Sequence, residues 1–97
     1  MRLRYTLPAL ADLVTILDYV ADRSPQGAER IHRRIRAITD LLLRYPQAGA
    51  VTDDPTIRRM TTTPYPYLIF YEATEAEIII HAVRHGARDP SDNARSE

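Results

Sequence analysis

Two apolar segments decide the fold of this chain: YLIFY at residues 67–71 and IIIHAV at residues 78–83. Each is five or six residues long and rich in aliphatic and aromatic side chains, which is typical of β-strands. The short link at residues 73–76 suits a hairpin, so the two strands are predicted to pair antiparallel. The three isoleucines that open the second segment do not alternate with polar residues, and this indicates a central strand with both faces covered.

Two helices are predicted before the hairpin, with Thr6 and Ser24 as their N-caps and a proline in each first turn. In the first helix the apolar residues at helical spacing form one stripe, made of Leu10, Leu13, Val14, Leu17, Val20 and Ala21. In the second helix a seam of period 3.5 consists of Ala28, Ile31, Ile35, Ile38, Leu42 and Tyr45. The short link at residues 23–25 makes the two helices antiparallel neighbours, and Pro46 ends the second one.

The remaining segments complete an α+β domain. Residues 2–5 predict a first strand, residues 47–55 a surface loop and residues 57–63 a further strand. The expected architecture is an N-terminal strand and a two-helix antiparallel hairpin packed on a small, mostly antiparallel sheet of three to four strands. We expect one domain at residues 1–90 and a polar, flexible tail at residues 91–97.

Composition excludes several classes of function. The 97 residues contain no cysteine, which excludes disulfides and thiolate metal sites, and no apolar run approaches the ~20 residues of a membrane span. The three histidines lack the spacing of a zinc site. We therefore expect a cytoplasmic protein with no metal, no cofactor and no membrane partner. All 13 basic residues are arginine. Any contact from a basic side chain to a phosphate or carboxylate would therefore use the planar guanidinium group, which can donate two parallel hydrogen bonds.

Several short patterns, taken in order over about residues 3–90, resemble the RelE/ParE superfamily of bacterial toxins. None of them is specific by itself, and the resemblance lies in the ordered set. The matching stretches are an Ala-Asp-Leu step with a later aromatic residue (11–19), the start and close of the second helix (24–28 and 41–49), Arg58 on a strand, the third strand (67–71), and the fourth strand with its tail (83–88).

The resemblance implies the toxin of a type II toxin–antitoxin pair. It implies a hetero-oligomer in which a cognate antitoxin protein covers an exposed apolar patch and neutralises the toxin. It also implies two alternative targets, since ParE-like members inhibit DNA gyrase by protein binding and RelE-like members cut mRNA on the ribosome. A third alternative is a decayed toxin that acts only as an antitoxin-binding module.

The candidate binding residues for the target are Arg58, Arg59, Arg84, His85 and Arg88. If the protein were a nuclease, Arg58 and Arg84 would hold the phosphate and His85 would serve as acid or base. The alternative for Arg84 and Arg88 is an ion pair with Asp89 or Glu72, and for His85 a hydrogen bond at the strand end.

The nucleolytic branch of the superfamily commonly uses lysines and a late tyrosine or histidine. This chain has no lysine and no tyrosine after Tyr71. Since arginine stays protonated at working pH, it cannot serve as a general base. We therefore assign no catalytic residue and favour gyrase inhibition over RNA cleavage.

A dense basic stretch in the second helix has two interpretations. It contains Arg30, His32, Arg33, Arg34 and Arg36. Surface ion pairs with neighbouring acidic residues would make it a solvated helix face. The alternative is a contact to ribosomal RNA or to an acidic antitoxin segment.

Overall fold

Two helices pack on one face of a five-stranded sheet, in a computed structural model that describes residues 1–86. The elements are β1 (Arg2–Tyr5), α1 (Leu7–Ala21), α2 (Pro25–Arg44), β2 (Ala50–Val51), β3 (Arg58–Thr62), β4 (Tyr65–Ala73) and β5 (Glu77–His85). The strand order is β1-β5-β4-β3-β2, and only the β1–β5 pair is parallel. The predicted α+β class and the antiparallel β4–β5 hairpin are confirmed.

The sheet has five strands, where three to four were expected. The additional strand is β2, which lies in the segment predicted as a loop and pairs with β3 through Ala50–Arg59 and Val51–Arg58. Two residues are too few to show an alternating pattern, so sequence periodicity cannot detect such a strand. β5 is a central strand as predicted, because it lies between β1 and β4 and its three isoleucines are buried. The expected cover of both faces is not supplied by the helices, since Ile78 and Ile80 belong to the core beneath them and Ile79 lies on the other face.

Both predicted helix caps are present. The Thr6 hydroxyl accepts a hydrogen bond from the Ala9 N–H, and the Ser24 hydroxyl accepts one from the Gly27 N–H. The seam of α2 is confirmed by its buried members, Ile31, Ile35, Ile38 and Leu42. Tyr45 is the exception at 61% exposed, because the helix ends at Arg44 and Tyr45 is its non-helical cap.

The stripe predicted for α1 is partly wrong. Leu13 is buried, but Leu10 is 46% exposed and Val14 is 50% exposed. Leu17 and Val20 are partly buried against the core, as the stripe predicts, and the buried side also contains Ala9, which is fully inaccessible, and the partly buried Ile16. Because α1 is apolar on two sides, helical spacing alone could not select the side that faces the sheet.

A β-bulge in β5 sets the direction of the side chains at its end. Phe70 pairs with Ala82 and Tyr71 pairs with Ile80, so His81 is an extra residue in β5. Ile78, Ile80 and then Val83 lie in the core, so the alternation shifts by one residue at the bulge. Arg84 therefore projects from the face opposite the helices, and His85 projects toward them.

α1 covers the edge of β5 beyond the point where β1 ends. The Thr6 N–H donates to the Ile80 carbonyl at 3.0 Å, and the Val83 N–H donates to Oδ2 of Asp12 at 3.1 Å. These bonds satisfy backbone groups that β1 no longer reaches. They also connect the start of α1 to the strand that carries Arg84 and His85.

Truncating Leu42 should destabilise the fold far more than truncating an exposed leucine. Leu42 is 0% exposed, and Leu42→Ala leaves a cavity among the core side chains, so we expect a loss of about 2–5 kcal/mol in the free energy of unfolding. The matched control is Leu7→Ala, because Leu7 is 82% exposed and its loss should stay within about 0.5 kcal/mol. Urea denaturation of both variants measures the difference, and equal losses would contradict the assigned core.

Candidate functional site

Arg58 is held by the chain segment between α2 and β2. Its Nη1 donates to the carbonyl oxygens of Gln47 at 3.3 Å and Gly49 at 2.8 Å. Tyr71 pairs with Arg58 across β3 and β4, and its hydroxyl donates to the Pro46 carbonyl at 2.8 Å. The same hydroxyl accepts from the Gly49 N–H at 2.8 Å. In this position Arg58 and Tyr71 hold residues 46–49 against the sheet.

Gly49 is required for this contact. A Cβ at position 49 would lie 2.6 Å from Cε1 of Tyr71 and 2.9 Å from the Arg59 carbonyl oxygen, so no larger residue fits without a shift. Burial raises the pKa of Tyr71, while the hydrogen bond from Gly49 and the charge of Arg58 oppose that rise. The hydroxyl therefore stays protonated at neutral pH and remains a donor to the Pro46 carbonyl.

Arg84 and His85 are adjacent in the chain but lie on opposite faces of the sheet. His85 pairs with Tyr67 on the side of the helices, and the two rings meet edge to face at 5.7 Å. A groove of about 290 Å³ opens beside them, and Tyr19 of α1 lines it as well. Arg84 pairs with Leu68 on the other face, is exposed, and makes no hydrogen bond or ion pair with any residue of the 1–86 range.

The three residues that a nuclease would use are not brought together. Arg58 lies opposite Tyr71, which is four residues from Tyr67 and therefore about 13 Å along β4 from the His85 position. Arg84 is separated from both by the sheet itself. Arg88, the remaining candidate, lies outside the described residues.

Arg59 and Arg84 share the sheet face that the helices leave uncovered, which we call the open sheet face. It also carries Leu68 and Phe70 of β4, because Arg59 pairs with Phe70 and Arg84 pairs with Leu68. From the strand spacing and the residue rise, the Cα atoms of the two arginines lie about 12 Å apart. Two arginines on one face make it a surface suited to an anionic partner.

A histidine–glutamate pair on the open sheet face was not predicted. Nε2 of His81 lies 3.0 Å from Oε1 of Glu72, and both side chains are about one third exposed. The bulge brings His81 onto this face, and sequence alternation gives no signal for it. Arg84 is three residues farther along β5, about 10 Å away, so this pair and Arg84 do not converge on one phosphate.

Two other classes of site can be assessed from the same structure. Within residues 1–86, no three or more His, Asp or Glu side chains are grouped so that they could hold a metal ion. In the same part of the chain, neither helix is long and apolar enough to cross a membrane.

Comparison with known proteins identifies relatives along most of the chain. A family model described as the ParE toxin of a type II toxin–antitoxin system, parDE, matches residues 3–90. "Toxin RelE2" of Caulobacter vibrioides is 37% identical over 84 residues, which cover 87% of this chain and 93% of that protein. "Toxin ParE2" of Mycobacterium tuberculosis is 31% identical over 81 residues, with coverage of 82% and 76%.

A solved structure agrees with these relatives. It is described as a chromosomal ParDE TA system from P. aeruginosa and superimposes with a TM-score of 0.74 at 25% sequence identity. The match covers 88% of this chain and 95% of the other.

Removing the Tyr71 hydroxyl should destabilise the protein. Tyr71→Phe leaves the buried Gly49 N–H and the partly buried Pro46 carbonyl without this partner, so we expect a loss of about 1–3 kcal/mol in the free energy of unfolding. Tyr45→Phe is the matched control, because Tyr45 is exposed and should show almost no loss. Urea denaturation compares the two, and a Tyr71→Phe variant as stable as the control would refute the structural role of the hydroxyl.

Proposed function

Since this chain belongs to the ParE toxin family of type II toxin–antitoxin systems, we propose that it arrests growth by binding DNA gyrase and does not cut RNA. An antitoxin protein is the partner expected of such a toxin, and the ParDE structure supports that assignment. The target and the antitoxin would bind different surfaces of the molecule.

The choice of mechanism rests on one observation: the structure holds Arg58, Arg84 and His85 apart. RNA cleavage needs a base, a group that stabilises charge on phosphorus and an acid, all within hydrogen-bonding reach of one phosphate. Here Arg58 holds residues 46–49, while Arg84 and His85 project from opposite faces. With no lysine in the chain, this arrangement supports a toxin that acts by binding.

We assign the gyrase contact to the open sheet face, with Arg84 at its centre and Arg59 beside it. The Arg84 guanidinium is exposed and has no partner within residues 1–86. A carboxylate of the target can therefore accept hydrogen bonds from both of its terminal nitrogens. His85 and Arg88 also belong to the proposed binding set, but His85 lies on the helix side of β5 and would meet the partner there, in the groove beside Tyr67. The half-buried Phe70 adds an apolar contact between the two arginines.

The antitoxin surface is assigned to an exposed apolar stripe on α1. Leu7, Leu10 and Val14 are spaced three and four residues apart and are 82%, 46% and 50% exposed. At 100° per residue, Val14 lies about 160° around the helix from Asp12, which faces β5. The stripe is therefore turned away from that strand edge and is open to an amphipathic helix of a partner.

The target assignment predicts a specific loss in the Arg84→Ala variant. Removing a charge-assisted contact should weaken inhibition of purified gyrase about tenfold or more, as measured by the toxin concentration that halves supercoiling. Arg44→Ala is the control, because Arg44 is also exposed but lies at the end of α2. Cells that express the unaltered toxin should show reduced supercoiling and intact transcripts.

Two outcomes would overturn the gyrase assignment. Codon-positioned cuts in mRNA with normal supercoiling would identify a ribosome-dependent endonuclease. The absence of any growth defect from a folded protein would identify a decayed toxin that only binds its antitoxin.

The antitoxin assignment predicts that Val14→Arg weakens antitoxin binding about tenfold or more, because a charge placed on the stripe would be desolvated by the bound partner. Gyrase inhibition by the same variant should be unchanged. Tyr45→Arg is the control, since Tyr45 is also an exposed, largely apolar side chain and lies away from the stripe, just beyond the end of α2. Isothermal titration calorimetry gives the affinities, and an unaltered affinity in Val14→Arg would place the antitoxin elsewhere.

A further inference from the structure

The outer face of α2 concentrates positive charge in a chain that is neutral overall. The helix carries five arginines and two acidic residues, a net charge of +3, so the rest of the chain carries −3. Four of these arginines are exposed and fall within seven residues of sequence. We call them the arginine face: Arg30, Arg33, Arg34 and Arg36.

The guanidinium groups of the arginine face are largely available. Within the part of the chain that the structure describes, those of Arg30 and Arg36 make no hydrogen bond or ion pair. Arg33 contacts Glu29 at 3.3 Å, but both side chains are at least 70% exposed, and such pairs contribute little. Arg34 donates only its Nε, to the Thr63 carbonyl at 2.9 Å, so its terminal nitrogens stay open.

Two grooves run along this helix and differ in charge. One, of about 430 Å³, is lined by Arg33 and Arg36 but also by the acidic Glu29 and Asp40. The other, of about 370 Å³, is lined by three arginines, Arg30, Arg33 and Arg34, and by no acidic residue. Pro64 and Tyr65, at the turn between β3 and β4 and the start of β4, line it as well. The second groove is therefore the better site for an anion.

We propose that this second groove binds the phosphate backbone of a nucleic acid strand. Arg30 and Arg34 are one helical turn apart, about 6 Å along the axis, and Arg33 lies between them along that axis. Their three guanidinium groups can therefore contact successive phosphates of one strand. Pro64 and the partly buried Tyr65 line the other side of the groove, where they offer an apolar surface to the bases of a single strand. This activity is separate from gyrase binding and stands whether or not gyrase is the target.

An acidic peptide fits the groove less well. A peptide gains affinity from apolar side chains in pockets, and this groove has only Ala37, Pro64 and Tyr65 as apolar lining. Its carboxylates would form exposed ion pairs of little net value. Nucleic acid gains in addition from the release of condensed counterions, which exposed arginines exploit without an apolar pocket.

The test measures binding of the full-length toxin to fluorescein-labelled 20-nucleotide DNA, single-stranded and duplex, by fluorescence anisotropy. With three phosphate contacts, a plot of log affinity for the duplex against log salt concentration should have a slope of about −2.7. Affinity for the duplex should therefore fall about 40-fold between 50 and 200 mM salt. For the single strand the slope should be shallower, about −2.1. Arg30→Gln/Arg33→Gln should reduce the duplex slope to about −0.9 and weaken binding at 50 mM salt about tenfold or more.

The matched control is Arg2→Gln/Arg4→Gln, which removes the same charge from exposed positions on β1 and should bind like the unaltered protein. Thermal unfolding by circular dichroism verifies that both double variants are folded. The proposal is overturned if the unaltered toxin does not bind DNA at 50 mM salt, or if the two variants lose equal affinity. It is also overturned if labelled 20-residue polyglutamate binds as tightly as DNA, because the groove would then take acidic protein segments.

Discussion

The bulge at His81, held by the hydrogen bond from the Val83 N–H to Asp12, decides what the end of β5 presents to partners. Without the extra residue, the alternation that begins at the buried isoleucines would turn Arg84 toward the helices and His85 away from them. With it, Val83 completes the core and the two functional candidates exchange faces. One inserted residue therefore separates a cation on an open sheet face from an imidazole in an aromatic groove.

The features that could be predicted from sequence are those encoded over a few neighbouring residues. The caps at Thr6 and Ser24, the seam of α2 and the hairpin of β4 and β5 each follow from local spacing, and the structure confirms them. The side of α1 that faces the sheet could not be predicted, since Leu10 and Val14 fit the same spacing as the buried residues. Register, in contrast, is a property of two strands together, so neither β2 nor the bulge leaves a signal in one segment.

The same limit applies to the candidate site. Arg58 was selected as a phosphate ligand from its place in the chain, but its carbonyl partners in residues 46–49 become visible only when the loop folds back on Tyr71. The sequence places Tyr71 in an apolar strand and Gly49 in a loop, but it gives no signal that the two form a contact that no larger residue at position 49 would allow. Tertiary hydrogen bonds of this kind connect residues 9 to 25 positions apart, beyond the reach of periodicity.

Charge and apolar surface are divided among three separate regions of this ParE-family toxin. The open sheet face carries Arg84, α1 carries the apolar stripe around Val14, and α2 carries a net charge of +3. Because the regions do not overlap, a target, an antitoxin and a nucleic acid strand could each be recognised by its own chemistry. The central claim, that Arg84 and His85 act on different surfaces, is tested most directly by a double-mutant cycle on gyrase inhibition with Arg84→Ala and His85→Ala. We expect the two losses to add within about 0.5 kcal/mol, and a coupling energy above about 1 kcal/mol would contradict the claim, since it would mean that both side chains act on one group.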